Sequence, residues 1–356
     1  MPTAELIDGA ITIVDATYRD NDTLSMLPGA KLGSDDIWRM PLTWTSANAL
    51  RGMYGDALVL GPELSAWGFA QLENWVNPAL TLVNSLSIDE GDDRLYPFQK
   101  VGVAWMHTVD FGILADEMGT GKTVQVCTYL AESKPHKTLI VCPNTVKRVW
   151  LDHINDWTNL RPVMTGKSAA SRRKALKAIA DDEADVLIIN WEALRLHSRL
   201  APYGSVALKR CVACGGFDPS VKVAACEVHL KELNEITFNA VIADEAHRAK
   251  DPASKQTRAL WYVARDADAR FALTGTPMAN TPDELWALLH FVNPIEWPSK
   301  VKFRDRYCEQ GINEDGKVIV KGLLPTTEAE LRRTLDVRML RRAKSLVLPQ
   351  IGRAHV

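Results

Sequence analysis

Phe111 to Glu132 reads FGILADEMGTGKTVQVCTYLAE, and the order of residue types in it decides the fold. Phe111 to Ala115 (FGILA) is a short apolar run of the kind that forms a buried parallel strand. It leads into Gly119-Thr120-Gly121-Lys122-Thr123 and then into VQVCTYLAE, which reads as a helix. Strand, glycine loop, helix is the setting a phosphate-binding loop requires. The glycines let backbone N–H groups face a phosphate, and the helix N-terminus adds a partial positive charge. Lys122 is then expected at the β- and γ-phosphates, with the Thr123 hydroxyl on Mg²⁺. The usual pattern has a glycine where this chain has Asp116.

A second apolar run, Ala240 to Ala243, ends in Asp244-Glu245-Ala246-His247. Ligands of open α/β sheets bind at the C-terminal ends of the strands. Asp244 is therefore expected to hold Mg²⁺, and Glu245 to orient and deprotonate an attacking water. A third run, RFALTGTPMAN from Arg270 to Asn280, ends in Thr274 and Thr276, which are placed to sense a γ-phosphate. Strands expected near 111–115, 138–142, 185–190, 240–244 and 270–274 alternate with helical stretches. That alternation predicts a parallel sheet with helices on both faces, joined by right-handed crossovers.

The order of motifs resembles the first RecA-like lobe of superfamily-two helicases, specifically the Swi/Snf-type DNA translocases, over roughly residues 91 to 351. Leu95-Tyr96-Pro97-Phe98-Gln99 is similar to the family's adenine-recognition segment, which puts Gln99 on the base. The family's D-E-M-G-x-G-K-T motif accounts for Asp116, and Met118 to Thr123 would cradle the nucleotide. LIVCPNTVKRVW (139–150) resembles the motif that touches the DNA backbone, which implies Lys147 and Arg148 as nucleic-acid contacts. DVLIINWEALR (185–195), DEAHRAK and LTGTPMANTPDELWALLHFVNP match further motifs, and Arg341 to Gln350 resembles the segment closing the lobe. The resemblance implies ATP and Mg²⁺ as cofactors. It implies catalysis by Lys122, Asp244 and Glu245, and coupling to a neighbouring domain through His247, Thr274, Gly275 and Thr276.

No Q-x-x-G-R-x-x-R segment follows, so a second RecA-like lobe is expected from a separate chain, as in a phage-encoded split helicase. The expected activity is a DNA-dependent ATPase that tracks on or remodels duplex or forked DNA, weak without that lobe. The alternatives are a non-motor ATP- and nucleic-acid-binding subunit, an RNA helicase, or a restriction-type motor subunit.

The 356 residues carry 42 basic and 44 acidic side chains, so the net charge of -2 does not advertise a nucleic-acid surface and any such surface must be local. No apolar run approaches the ~20 residues that span a bilayer. The acidic start lacks a signal-peptide pattern, so a cytoplasmic protein is expected (host cytoplasm if phage-encoded).

Residues 1–88 read as a small α+β module and 89–356 as the lobe. The module's PGAK and WRMPL segments resemble the recognition module of annealing helicases; Arg19, Lys31, Trp38 and Arg39 either contact DNA or, for the tryptophan, fill a core. Within the lobe, residues 208–231 form an insertion in which Cys211-x₂-Cys214 and Cys226-x₂-His229 have the paired spacing of a tetrahedral Zn²⁺ site. Such a segment is too short to bury a core, so metal would supply its folding energy. Cys127, Cys142 and Cys308 sit in apolar or helical contexts and are expected in the core. Basic clusters at 167–177 and 332–344 are further phosphate-binding candidates, or solvated helix faces. Gly311 to Gly322 reads as a β-hairpin turning at Asp315-Gly316.

Overall fold

A computed structural model describes residues 2–25, 27, 29–54, 57–68, 70, 94–198, 211–214, 226, 231–278, 281–314, 316 and 318–344. The side chains of Arg19 and Cys214, and all of His229, lie outside what is described. The chain divides into two compact units: residues 1–85 with 280–337, and residues 86–279 with 338–356. Residues 280–337, expected in the lobe, thus group with the N-terminal module.

In the first unit, a five-stranded sheet runs in the order Lys31–Leu32, Trp38–Pro41, Ala10–Ile13, Thr3–Ile7, Val59–Leu60. Alternation directs Ile11, Ile13, Trp38 and Met40 into one core with Ala4 and Leu50. Trp38 is buried there and its indole donates to Asn21 Oδ1 at 2.8 Å, so it is a core residue and not an open DNA contact. Arg39 forms a bidentate pair with Asp35 (2.9 and 2.6 Å). The same unit holds the helices Leu285–Val292 and Lys300–Tyr307 and the expected hairpin, which pairs Cys308–Ile312 with Val318–Leu323. Gly316 takes φ 75° at its turn, a conformation that glycine adopts without strain, and Asp315 lies outside the described residues.

The second unit is built on a seven-stranded sheet. Its strands are β1 (Phe111–Leu114), β2 (Thr138–Cys142), β3 (Pro162–Met164), β4 (Val186–Asn190), β5 (Ala240–Asp244), β6 (Ala269–Leu273) and β7 (Met339–Leu340). The order is β7-β1-β6-β5-β2-β4-β3, and every pairing is parallel. Apolar runs without polar alternation suit such strands because both faces are covered; Leu139 to Cys142 and Val186 to Ile189 are all buried. Helices α1 (Pro97–Val109), α2 (Lys122–Ser133), α3 (Lys147–Trp157), α4 (Ala169–Ala180), α5 (Trp191–His197) and α6 (Lys255–Val263) alternate with the strands. Ser168 and Ser254 cap α4 and α6, accepting the N–H groups of Ser171 and Thr257. The five expected strands form within a residue of the expected ends; β3 and β7, three and two residues long, are too short to leave a periodic signal.

Candidate nucleotide-binding site

β1, β6 and β5 are neighbours, so the three loops leaving their C-terminal ends share one edge of the sheet. Gly119 and Gly121 take φ 80° and 76°, the left-handed conformation that lets the loop present its N–H groups inward. A Cβ on Gly121 would lie 2.3 Å from Gln99 Nε2, so a side chain there would displace that amide. Thr120 Oγ1 donates to the Glu117 carbonyl at 2.8 Å and tightens the turn.

Lys122 opens α2 and folds back so that Nζ donates to the carbonyls of Asp116 (2.7 Å) and Glu117 (3.1 Å). Burial lowers its pKa, while Glu245, Asp116 and Asp244 pull the other way. Three carboxylates thus sense this one ammonium. Thr123 follows as the next residue of α2. Gln99 sits almost buried on α1 and bridges rather than points outward: its Oε1 accepts Tyr96 N–H (3.0 Å) and its Nε2 donates to the Thr120 carbonyl (3.0 Å). The start of α1 and the glycine loop are therefore tied through one amide. Tyr96, exposed and stacked 6.0 Å from Phe98, offers an aromatic face beside it. Met118 is 70% exposed, and its Cγ comes within 3.1 Å of where a Cβ on Gly275 would lie.

Asp244 ends β5. Its Oδ1 accepts Glu245 N–H at 2.9 Å and its Oδ2 accepts the Trp150 indole at 2.8 Å. Burial raises its pKa, partly offset by the Trp150 bond. Each oxygen keeps a lone pair, and a buried carboxylate beside the Glu245 carboxylate offers hard oxygens that suit Mg²⁺. Glu245 takes φ 50°, unusual for a residue with a side chain and typical of strain held at functional sites. His247 Nδ1 lies 3.2 Å from Glu245 Oε2 and 3.5 Å from Thr274 Oγ1. Thr274 in turn accepts Thr276 N–H at 3.1 Å. The acidic motif and the threonine motif are thus linked through one imidazole.

The contacts of the chain around β7 carry no mark in the sequence. Arg342, just beyond β7, donates through Nε to Asp116 Oδ1 (2.9 Å) and through Nη2 to Gln125 Oε1 (3.0 Å), and also bonds the other Asp116 oxygen and the Phe98 carbonyl. Ala115 N–H donates to the Leu340 carbonyl (2.7 Å) and Glu117 N–H to that of Arg342 (3.1 Å), so the chain after β7 runs alongside the start of the phosphate loop. Arg338 is also buried, with Nη1 donating to the Val109 carbonyl. These arginines of the 332–344 cluster are thus spent inside the lobe.

Lys147 is a correction. Its side chain is buried and Nζ donates to the Thr165 carbonyl at 2.6 Å, so its head is turned away from solvent, and burial lowers its pKa. Arg148 is the exposed member of the pair, with its guanidinium near Asp152 at 3.0 Å. In the 167–177 cluster, Arg172 is drawn inward to His197 and the Lys167 carbonyl. Cys127 and Cys142 are core residues as expected; burial pushes the Cys127 thiol up to about 12. Cys211 and Cys226, from opposite halves of the insertion, are both buried, and Cys211 N–H lies 3.4 Å from Cys226 Sγ. Among the described residues, which exclude the Cys214 side chain and His229, no group of three or more metal-ligating side chains is gathered.

Sheet order, left-handed glycine loop and acidic strand end define a RecA-like nucleotide-binding core. The chain belongs to the SNF2-related domain family, which it matches over residues 98–354. It is 30% identical over 265 residues to the ISWI chromatin-remodeling complex ATPase ISW1 of Saccharomyces cerevisiae, covering 71% of this chain and 20% of that one. It is 30% identical to Protein CHROMATIN REMODELING 19 of Arabidopsis thaliana, covering 72% of this chain and 31% of that protein. Among solved structures, the Sulfolobus solfataricus SWI2/SNF2 ATPase core in complex with dsDNA superposes with a TM-score of 0.51 at 24% identity, over 70% of this chain and 44% of the other. The chain therefore spans less than a third of the length of these two curated relatives. Among the described residues, no helix is long and apolar enough to cross a membrane.

Proposed function

We propose that the second unit binds and hydrolyses ATP with Mg²⁺ as part of a motor that tracks on or remodels duplex or forked DNA. The observation that carries this is the shared sheet edge, where the left-handed phosphate loop, Asp244-Glu245 and Thr274 meet, with His247 between Glu245 and Thr274. Lys122, released from the carbonyls of Asp116 and Glu117, holds the β- and γ-phosphates; N–H groups of residues 118–123 line the same cradle. Thr123 and Asp244 would hold Mg²⁺, which would neutralise phosphate charge. Glu245 takes the proton of the attacking water as the bond from the γ-phosphorus to the bridging oxygen breaks and ADP leaves. Tyr96 offers its ring to the base, and Gln99, engaged with Tyr96 N–H and the Thr120 carbonyl, holds that segment on the loop. Thr274, Gly275 and Thr276 pass the state of the γ-phosphate on through His247.

The DNA assignment is supported by the SNF2 kinship and by the double-stranded DNA in the Sulfolobus core. Arg148 is the exposed cation on the helix concerned and would contact the backbone without reading sequence. A second RecA-like lobe, in the same polypeptide or another, would complete the site; arginines so supplied contribute roughly 10³–10⁵ in rate in related enzymes. In the insertion, Cys211, Cys214, Cys226 and His229 would hold a structural Zn²⁺, a reading supported by the ligand spacing and by the approach of the two buried cysteines. Metal analysis should find one zinc per chain, and well under one would refute that site.

The test of the main reading is ATP turnover with and without duplex DNA for the wild type and Glu245→Gln, alone and with a second-lobe chain. Turnover stimulated by DNA and abolished by Glu245→Gln, with ATP still bound, supports the motor. Stimulation by RNA alone would move the substrate class, and undiminished hydrolysis by the variant would remove Glu245 from the site.

A further inference from the structure

Asp244 is gripped by two tryptophans distant in sequence. The Trp150 indole N–H donates to Asp244 Oδ2 at 2.8 Å across 94 residues, and the Trp191 indole N–H donates to the Asp244 main-chain carbonyl at 3.0 Å. Both rings are buried, at 1% and 0% exposure. With Glu245 N–H on Oδ1, the Asp244 carboxylate is held at both oxygens, and one of those holds comes from a different element of the lobe. That element is α3, which carries Trp150 inward two residues after the exposed Arg148. Nothing in apolar packing requires an indole at position 150: its N–H needs an acceptor when buried, and the acceptor here is the carboxylate that the reaction uses.

We propose that Trp150 is a positioning residue of the nucleotide site, orienting the Asp244 carboxylate for Mg²⁺ and tying that orientation to α3. The proposal rests on the reading of Asp244 as the metal-holding carboxylate. A donor behind a metal-binding carboxylate fixes its rotamer, and losing such a partner typically lowers metal affinity roughly 10–100-fold. Trp191, which grips only the backbone, serves as the matched comparison: it is the same residue type and equally buried, but leaves the carboxylate oxygens alone.

The experiment measures Mn²⁺ binding by electron paramagnetic resonance, with ADP present, for the wild type, Trp150→Phe, Trp191→Phe and Asp244→Asn, alongside metal-free ADP affinity. The expected result is a roughly 10–100-fold weaker Mn²⁺ site in Trp150→Phe, unchanged metal-free ADP affinity, and a much smaller effect in Trp191→Phe. Equal losses in the two tryptophan variants, or wild-type Mn²⁺ binding by Trp150→Phe, overturn the proposal. Unaltered Mn²⁺ binding by Asp244→Asn instead overturns the underlying assignment of the metal site. If Trp150→Phe does not fold, the wild-type indole N–H resonance decides: protection from exchange and a shift on adding Mg²⁺ and ADP are expected. A freely exchanging, unmoved resonance overturns the proposal.

Discussion

Arg342→Ala should strand a carboxylate inside the nucleotide-binding unit. Asp116 is fully buried and Arg342 is 15% exposed, and the guanidinium meets both carboxylate oxygens, one of them at 2.9 Å. The same group bonds the Phe98 carbonyl and Gln125 Oε1 and lies 5.3 Å over the Phe98 ring. It therefore braces α1, the phosphate loop and α2 at once. Removing one partner of a buried ion pair costs about 3–5 kcal/mol, because the remaining charge is left uncompensated. For a unit of this size each kcal/mol lowers the melting temperature by ~2–4 °C, so a fall of ~6–20 °C is expected. Adding Asp116→Asn removes the stranded charge, so the double variant should lose less than the two single losses combined, with a coupling of about 0.5–3 kcal/mol. Calorimetry of the nucleotide-free protein reads both quantities. Melting within ~2 °C of the wild type for Arg342→Ala, or additivity within about 0.5 kcal/mol, would refute the brace.

Gly121→Ala forces a side chain into φ 76° and against the Gln99 amide. At about 1–2 kcal/mol of strain, titration with a fluorescent ATP analogue should show binding weakened roughly tenfold. Arg148→Glu should lower the salt slope of duplex binding by about one for the lost phosphate contact, whereas Lys147→Met should leave that slope unchanged and instead destabilise the fold by about 1–3 kcal/mol through the orphaned Thr165 carbonyl. Arg161 holds the Asp185 carboxyl below the usual carboxylate range through its side chain, with contacts at 2.9 and 2.6 Å. Since that pKa is depressed in the fold, the pair stabilises above the unfolded value of about 3.9 and is lost as pH falls through the lower folded value. Asp185→Asn should accordingly melt below the wild type at neutral pH, with the gap closing on acidification below pH ~4.

The candidate nucleotide site was legible because each part of it is local. FGILA before a glycine loop, AVIA before Asp244-Glu245 and FAL before Thr274 are strand segments whose burial on both faces is written as uninterrupted apolar residues. Parallel strands end where ligands bind, so the chemistry could be placed without knowing strand order. Lys147 was misplaced for the complementary reason. Its motif names an exposed backbone contact, but an ammonium satisfied by a carbonyl 18 residues away reads in sequence like any surface lysine. Arg342 was hidden likewise: an arginine in a basic run carries no mark of the partner that buries it.

The parallel α/β class, the left-handed glycines of the phosphate loop and the acidic strand end follow from short stretches of chain, since periodicity and backbone sterics act within a few residues. The folded chain alone places β6 between β1 and β5, closes Arg342 on Asp116 across 226 residues and brings Trp150 to Asp244 across 94. Those choices are made by packing. A buried charge or indole N–H must find its partner wherever the sheet order brings one within reach, and that order is a property of the whole core.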